Sequence, residues 1–458
     1  MKLRIAELAI IFILGWALRF GLMVYRLTVL DSTPLENSPQ AVEYHNLGRA
    51  LLYRWEWSNY YFAARPPLMP LLIAGLYAIF GEAPIAVALV NITLSAATAV
   101  VAVGVASRLT TDRWVARLAG LWAAIDPASV ANSINLQAET LANFCLALAM
   151  LWLAATVQHR RLRDAALAGL WLALATLARP TTIYLFIFCL PLFVLLIKPW
   201  PRLYLAFAAL PVLFILLWSA RNLNYMGEFT YSSLSDFNLL FYRAVSVERW
   251  ANGGKSDDVI RREFAAEVER RLGTPVDPSL VDAGFFWRNI APEDGRRVKI
   301  MRAMALEVFQ AHPVWYFATI PVGLYHMYAY TEMYGSPFLP ELIFNLLFYA
   351  AAVSGVVISW RRRWWLALLL PATVIGYITL ATMVSQTSGM DTRMRTSTTT
   401  AMAVLAAVGL SALFRARRNR GGPVEGAGGD QRQPEREARA FAKLTAHLQP
   451  SAVRLRDP

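Results

Sequence analysis

Charge is what this 458-residue chain has least of: 16% of its residues are Asp, Glu, Lys or Arg, against 57% apolar residues and a mean hydropathy of +0.41. Soluble domains carry roughly 25% charged residues, so a soluble globular protein is excluded. Cysteine is scarce too. Cys145 and Cys189 both stand inside apolar runs, which argues for core positions and against a disulfide framework. No His/Cys cluster has metal-ligand spacing, there is no P-loop or GxGxxG, and no Ser–His–Asp pattern stands out. Internal repeats and strand-rich segments are also missing. These gaps leave no indication of a nucleotide or a divalent metal as cofactor.

The net charge of +13 raises the question of a nucleic-acid partner, and its distribution answers it. No single basic groove emerges. Apart from the tail, the excess falls in short clusters between apolar runs: Lys2/Arg4, Arg108/Arg113/Arg117, Arg160/Arg161/Arg163, Lys198/Arg202 and Arg361–Arg363, with Arg415–Arg420 after the last run. This is the positive-inside pattern of a polytopic membrane protein and excludes nucleic acid as the natural partner. Apolar runs able to span ~30 Å as helices lie near 5–25, 84–107, 114–131, 136–157, 165–178, 182–197, 203–219, 338–359, 364–384 and 397–414. The first is too long, and too poor in a small-residue cleavage pattern, to be a cleavable signal peptide.

Ten crossings from a cytoplasmic N-terminus put every basic cluster inside. They put 26–83, 132–135, 179–181, 220–337 and 385–396 outside. The count tolerates 66–81 and 313–330 only as re-entrant or interfacial segments, which their prolines permit. The expected fold is therefore an all-α polytopic membrane protein with about 10–12 transmembrane or re-entrant helices. Its regions are 1–225 with an outer loop 26–83, a helical extracytoplasmic insert 226–312, a second membrane region 313–414, and a disordered cytoplasmic tail 415–458. In the insert, Ile260, Phe264, Val268 and Leu272, after a possible N-cap Asp257, form one amphipathic helix pattern; Ile300, Met304, Val308 and Ala311 form another. Glu7 and Arg19 in the first span are twelve residues apart and are expected to snorkel.

Few carboxylates remain outside the insert and the tail. Asp31–Arg65 is the most suggestive stretch, mixing Glu36, Glu43 and Glu56 with Tyr44, Tyr53, Trp55, Trp57, Tyr60, Tyr61 and Phe62. Carboxylates among aromatic faces suit a sugar, although an interfacial aromatic belt uses the same residues. Glu43, Leu47, Leu51 and Arg54 have helical spacing. Glu139 opens the 136–157 run, where it either complements the helix dipole or belongs to a site. Arg179, Arg221, Arg393 and Arg395 stand at outer helix ends, against the charge rule, and arginine forks match phosphate oxygens.

Seven pieces in order then carry a resemblance: Gln40-Ala-Val-Glu-Tyr44-His-Asn-Leu47; Arg65-Pro-Pro-Leu-Met-Pro70 to Phe80-Gly81; Gln137-Ala-Glu139-Thr-Leu; Leu177-Ala-Arg179-Pro180; Trp218-Ser-Ala-Arg221-Asn222; His312-Pro313; and Asp391-Thr-Arg393-Met-Arg395. Over residues 1–414 the chain resembles bacterial GT-C-fold membrane glycosyltransferases of the protein-mannosyltransferase and aminoarabinose-transferase type.

The resemblance implies inverting transfer of a sugar from a polyprenyl-phosphate carrier to a glycan, lipid or protein acceptor, on the outer face of the bacterial cytoplasmic membrane. It makes Glu43, Glu139 and Gln40 the catalytic positions, Tyr44 and His45 loop supports, and Arg65, Arg221, Arg393 and Arg395 the contacts on the phosphate side. The family's catalytic Asp usually stands four residues before the loop tyrosine, and Gln40 occupies that place here. A glutamine cannot take a proton near neutral pH. Either a neighbouring carboxylate takes over, Glu43 ahead of Glu36, or catalysis is lost. The alternatives to an active transferase are an inactive relative acting as a scaffold and a multipass lipid or solute transporter.

Overall fold

The computed structural model describes residues 4–36, 39–58, 61–198, 200–274, 292–329, 332–333, 336–337, 339–387 and 392–420. Seven of its helices are long and apolar enough to cross a membrane: Ile5–Thr28, Pro84–Leu109, Glu139–His159, Trp200–Met226, Leu339–Arg361, Trp365–Ser385 and, with its 3-10 lead-in, Thr392–Arg415. At ~1.5 Å per residue a helix of this length covers the hydrocarbon core. Shorter elements complete the bundle, namely Arg113–Ile125, Leu162–Ala178 and the interrupted stretch from Pro180 to Leu196. Among the described residues the only strands are the two-residue antiparallel pair Glu332–Met333 and Ser336–Pro337. The chain is an all-α polytopic membrane protein.

The bundle has two chemically different ends. At one, the basic clusters meet: Arg415 pairs with Asp112 at 2.7 Å, Ser411 donates to the same carboxylate, and Arg160 donates to the Lys198 carbonyl at 3.1 Å. Asp112 also caps Arg113–Ile125 by accepting the Trp114 N–H. At the other end lie Pro39–Arg54, the turn around Asp126, the start of Glu139–His159, the 3-10 segment Thr392–Thr398 and the polar insert. Leu68–Phe80 packs along Pro39–Arg54, where His45 Nδ1 shares a 2.8 Å hydrogen bond with the Tyr77 hydroxyl and Arg49 pairs with Glu82 at 3.0 Å.

Between the ends, alanine and glycine let helix backbones approach, as membrane packing requires in the absence of a hydrophobic drive between helices. A Cβ on Gly355 would lie 1.9 Å from the Leu405 carbonyl oxygen, and one on Gly409 would lie 2.1 Å from the Ala351 carbonyl oxygen. Leu339–Arg361 and Thr399–Arg420 are thus in backbone contact at two reciprocal points. Arg19 departs from the expectation of snorkelling. It is fully buried, donating to Ser95 Oγ at 2.7 Å and to the Gly15 and Ala124 carbonyls at 2.8 and 2.7 Å, because the neighbouring helices supply acceptors at its own depth. Glu7 pairs with Arg117 at 2.7 Å. Cys145 and Cys189 are both buried and unpaired with each other.

The insert builds a second apolar core from Phe237, Leu240, Phe241, Val268, Val298 and Met301. Its helices Asp257–Leu272 and Gly295–Ala311 match the two sequence patterns, but the N-cap of the first is Ser256, whose hydroxyl accepts the Val259 N–H, so Asp257 is already inside the helix. The last helix runs on to Arg420, so residues 415–420 are helical and not part of a disordered tail. The remaining tail, 421–458, lies outside the described residues.

Candidate active site

Pro39–Arg54 buries Ala41, Tyr44, Leu47 and Leu51 and so turns Gln40 and Glu43 inward, one helical turn apart from Tyr44 and Leu47 respectively. Arg65 enters from the short helix Tyr61–Ala64, at the turn that leads to Pro66 and Pro67. Its Nε donates to Glu43 Oε2 at 2.7 Å with both side chains buried, and its guanidinium lies 5.6 Å from the centre of the Tyr44 ring. Glu43 Oε1, also buried, has no hydrogen-bond partner among the described residues.

Across from this pair, Glu139 stands at the N-terminus of its helix with Arg179 Nη2 at 3.6 Å and Arg393 Nε at 3.8 Å. Arg393 Nη1 also donates to Gln40 Oε1 at 3.3 Å, which ties the two halves of the site together. Arg179 Nη2 contacts the Met394 sulfur at 3.2 Å.

Gln40, Glu43, Tyr44, Arg65, Glu139, Arg179, Arg393 and Met394 line one cavity of about 990 Å³. The insert closes one wall with Asp236 and Arg302, a bidentate pair at 2.8 and 3.1 Å. Tyr184, Phe188, Leu380 and Val384 form another wall, and all four are exposed on the outside of the bundle. The cavity therefore has a polar floor of carboxylates and guanidiniums and an apolar edge on the exterior of the bundle. A polar floor beside an apolar edge is complementary in chemistry to an amphiphile with an anionic head.

The electrostatics are consistent with that description. Burial pulls Arg65 down, but the Glu43 carboxylate more than offsets it and holds the guanidinium charged. Burial pushes the Tyr44 hydroxyl up to about 12, leaving it a neutral donor. Burial also raises Asp236, against the opposing pull of Arg302. With all side chains ionised, the walls carry four arginines and three carboxylates, so one positive charge is left uncompensated. Among the described residues no three His, Cys, Asp or Glu side chains gather as a metal site.

Six sequence candidates, Gln40, Glu43, Tyr44, Arg65, Glu139 and Arg393, come together here. Three do not. Arg221 turns away from the cavity. It lies over the Tyr225 and Trp218 rings at 4.5 and 5.2 Å and donates to the Trp57 carbonyl and to Asn222 Oδ1, since aromatic faces and a carbonyl are its nearest partners. Arg395 points into the bundle, where Asp126 neutralises it. His45 lies on the far side of Pro39–Arg54 against Tyr77. Three further residues join the site. Arg179 had a sequence signal, a cation at an outer helix end. Asp236 and Arg302 had none, standing in an insert with many charges of both signs.

Residues 64–221 match the family model described as dolichyl-phosphate-mannose-protein mannosyltransferase. The oligosaccharyltransferase of Archaeoglobus fulgidus, solved with a tethered acceptor peptide, superposes with a TM-score of 0.52 at 14% identity, over 97% of this chain and 53% of that one. The two chains share a fold, in keeping with the GT-C resemblance of the sequence. A further structure of the Archaeoglobus enzyme, with an inhibitory peptide and a dolichol-phosphate, gives 0.48 at 16% identity over 97% and 54% of the two chains. ArnT of Cupriavidus metallidurans, bound to undecaprenyl phosphate, gives 0.36 at 14% identity over 95% and 84%. The present chain spans about half the length of the archaeal oligosaccharyltransferase, and at these identities the GT-C likeness concerns the fold alone. No curated protein matches by sequence.

Proposed function

We propose that the protein transfers a sugar from a polyprenyl-phosphate carrier to an acceptor at the outer face of the cytoplasmic membrane, with inversion at the anomeric carbon. The family matched by residues 64–221 is named for a lipid-phosphate-linked mannose donor, which supports this donor class. The observation that carries the reading is the pairing, within one cavity that has an exposed apolar edge, of a buried carboxylate that has one unpartnered oxygen with two arginines gathered on Glu139.

In this reading Arg65 fixes Glu43, and the unpartnered Oε1 accepts the proton of the acceptor hydroxyl as its oxygen attacks the anomeric carbon. The bond from that carbon to the phosphate oxygen breaks, and its electron pair stays on the phosphate. A phosphodiester with one negative charge becomes a monoester with about −1.5 to −2, and Arg179 and Arg393 stabilise the added charge. Glu139 holds the two guanidiniums together before the donor arrives. Gln40 takes the position of the family's Asp without adding a fourth carboxylate, so the single excess positive charge of the cavity is preserved for the phosphate. Its amide group remains able to donate to a sugar hydroxyl. The carrier chain leaves the cavity past Phe188, Leu380 and Val384 into the hydrocarbon.

Purified protein in lipid, supplied with polyprenyl-phosphate sugars and candidate acceptors, is expected to release polyprenyl phosphate. Binding of the carrier with no release under any acceptor would favour the scaffold alternative. Movement of the intact carrier or sugar across the bilayer would favour a transporter.

A further inference from the structure

Behind Arg393 lies a set of buried polar groups that the transfer reaction does not use. Arg395 and Asp126 are both fully buried, and Arg395 Nη2 donates to Asp126 Oδ1 at 2.9 Å and to Asn345 Oδ1 at 2.7 Å. The second oxygen of Asp126 accepts from the Thr399 hydroxyl at 3.0 Å and from the Ser129 N–H at 3.2 Å. One carboxylate thus joins three things: the 3-10 segment Thr392–Thr398, the helix that follows it, and the short helix Pro127–Ser133, which it caps. A second tether comes from Asn143, one turn beyond Glu139 on the same helix face. Its Nδ2 donates to Thr396 Oγ1 at 3.0 Å and its Oδ1 accepts from Ser397 at 2.8 Å.

Arg393 and Arg395 are two residues apart on a 3-10 turn of about three residues, so their side chains diverge. One enters the cavity and the other enters the bundle. A buried ion pair is a weak source of stability, because desolvating both charges offsets their attraction; what it does well is fix one arrangement. We propose that Asp126 and Arg395, together with Asn143, are positioning residues that hold the Thr392–Thr398 segment so that Arg393 stands beside Glu139 and Gln40, ready for the donor phosphate. This rests on the donor reading above and adds a device that acts on it through Arg393 without touching the substrate.

The test uses the full chain in lipid and the double variant D126N/R395Q, which removes both buried charges and leaves neither unpaired. Glu341, 3.9 Å from Arg395, can take up a proton once the cation is gone. N143S perturbs the other tether with no change of charge and serves if the double variant does not fold. Two readouts are taken. The donor KM is expected to rise about tenfold and kcat to fall with it, because Arg393 both binds the phosphate and stabilises the charge that develops on it, and neither effect is expected to grow when R393Q is added. M394C, next to Arg393 in the cavity wall, is expected to react several-fold faster with a water-soluble maleimide in the variant; Cys145 and Cys189 are buried and contribute little background.

Native donor KM in a folded D126N/R395Q or N143S protein overturns the positioning role, whatever the labelling rate. Native labelling with a raised KM overturns it as well, because the segment would not have moved. If the native protein releases no polyprenyl phosphate while labelling still accelerates in the variant, the donor reading fails and the tethering of the segment is supported.

Discussion

Replacing Glu43 by glutamine isolates the role assigned to its free oxygen. The substitution conserves shape, and Gln Oε1 can still accept from Arg65 Nε across the present 2.7 Å. What disappears is the negative charge and the ability to take a proton. The stability cost lies between that of weakening a charge-assisted hydrogen bond, about 1.5–3 kcal/mol, and the ~3–5 kcal/mol of a buried cation left without its countercharge, because glutamine still accepts from Arg65 but no longer neutralises it. The cost to the reaction is larger. Removing a general base typically lowers the rate by about 10²–10⁴, equivalent to ~3–5 kcal/mol of barrier at 1.36 kcal/mol per tenfold.

The assay is release of polyprenyl phosphate by purified protein in lipid, with a melting curve on the same samples. E43Q should remain folded at the assay temperature, keep its affinity for polyprenyl phosphate, and lose at least about a hundredfold in kcat. E43D, which keeps the charge but withdraws the carboxylate by one carbon, should retain part of the activity. Undiminished turnover in E43Q would refute the assignment, and so would a loss of turnover no larger than the loss of folded protein.

Other sites give separate expectations. R393Q removes a charged donor from the phosphate and should raise the donor KM by about ten- to a hundredfold, the equivalent of ~1.5–3 kcal/mol, as read from initial rates against donor concentration. R221K gives up the stacking of a planar guanidinium on Tyr225 and Trp218 and should lower stability by about 1 kcal/mol without changing the donor KM. G355A brings a methyl group against the Leu405 backbone and should cost about 1–3 kcal/mol in thermal unfolding, since a helix backbone cannot yield as a side-chain tip does.

His45 supplies a pH test. Burial, and after it the charge of Arg49, lowers its folded pKa. As pH falls below the unfolded value near ~6.5 the unfolded chain takes up a proton that the folded chain refuses. Stability present above that pH is therefore lost on the way down to the folded pKa, and H45Q should lose less between neutral pH and pH about 5.5.

Architecture was legible in the sequence because hydrocarbon imposes a simple demand: long apolar runs must become helices, and cationic clusters mark one end of them. Local site geometry was legible where helical spacing alone decides it, as with Gln40, Glu43 and Tyr44 on one short amphipathic helix. It was not legible where a side chain's direction depends on distant partners. Arg221 and Arg395 sit at helix ends as plausibly as Arg179 and Arg393, yet the first finds aromatic rings and the second finds Asp126. Arg19 departs from expectation for the same reason, since its Ser95 and Ala124 acceptors are contributed by helices 76 and 105 residues away. Asp236 and Arg302 reach the cavity through the packing of the insert around Phe237 and Met301, which no local motif encodes.

The most direct test of the central claim is a single measurement: labelled polyprenyl-phosphate sugar is incubated with the purified protein in lipid, and the label remaining on the carrier is followed with time. Loss of the sugar from the carrier in the native protein, and its retention when Glu43 is replaced by glutamine, is the predicted result. A carrier that keeps its sugar in the presence of the native protein across lipid, glycan and protein acceptors would contradict it.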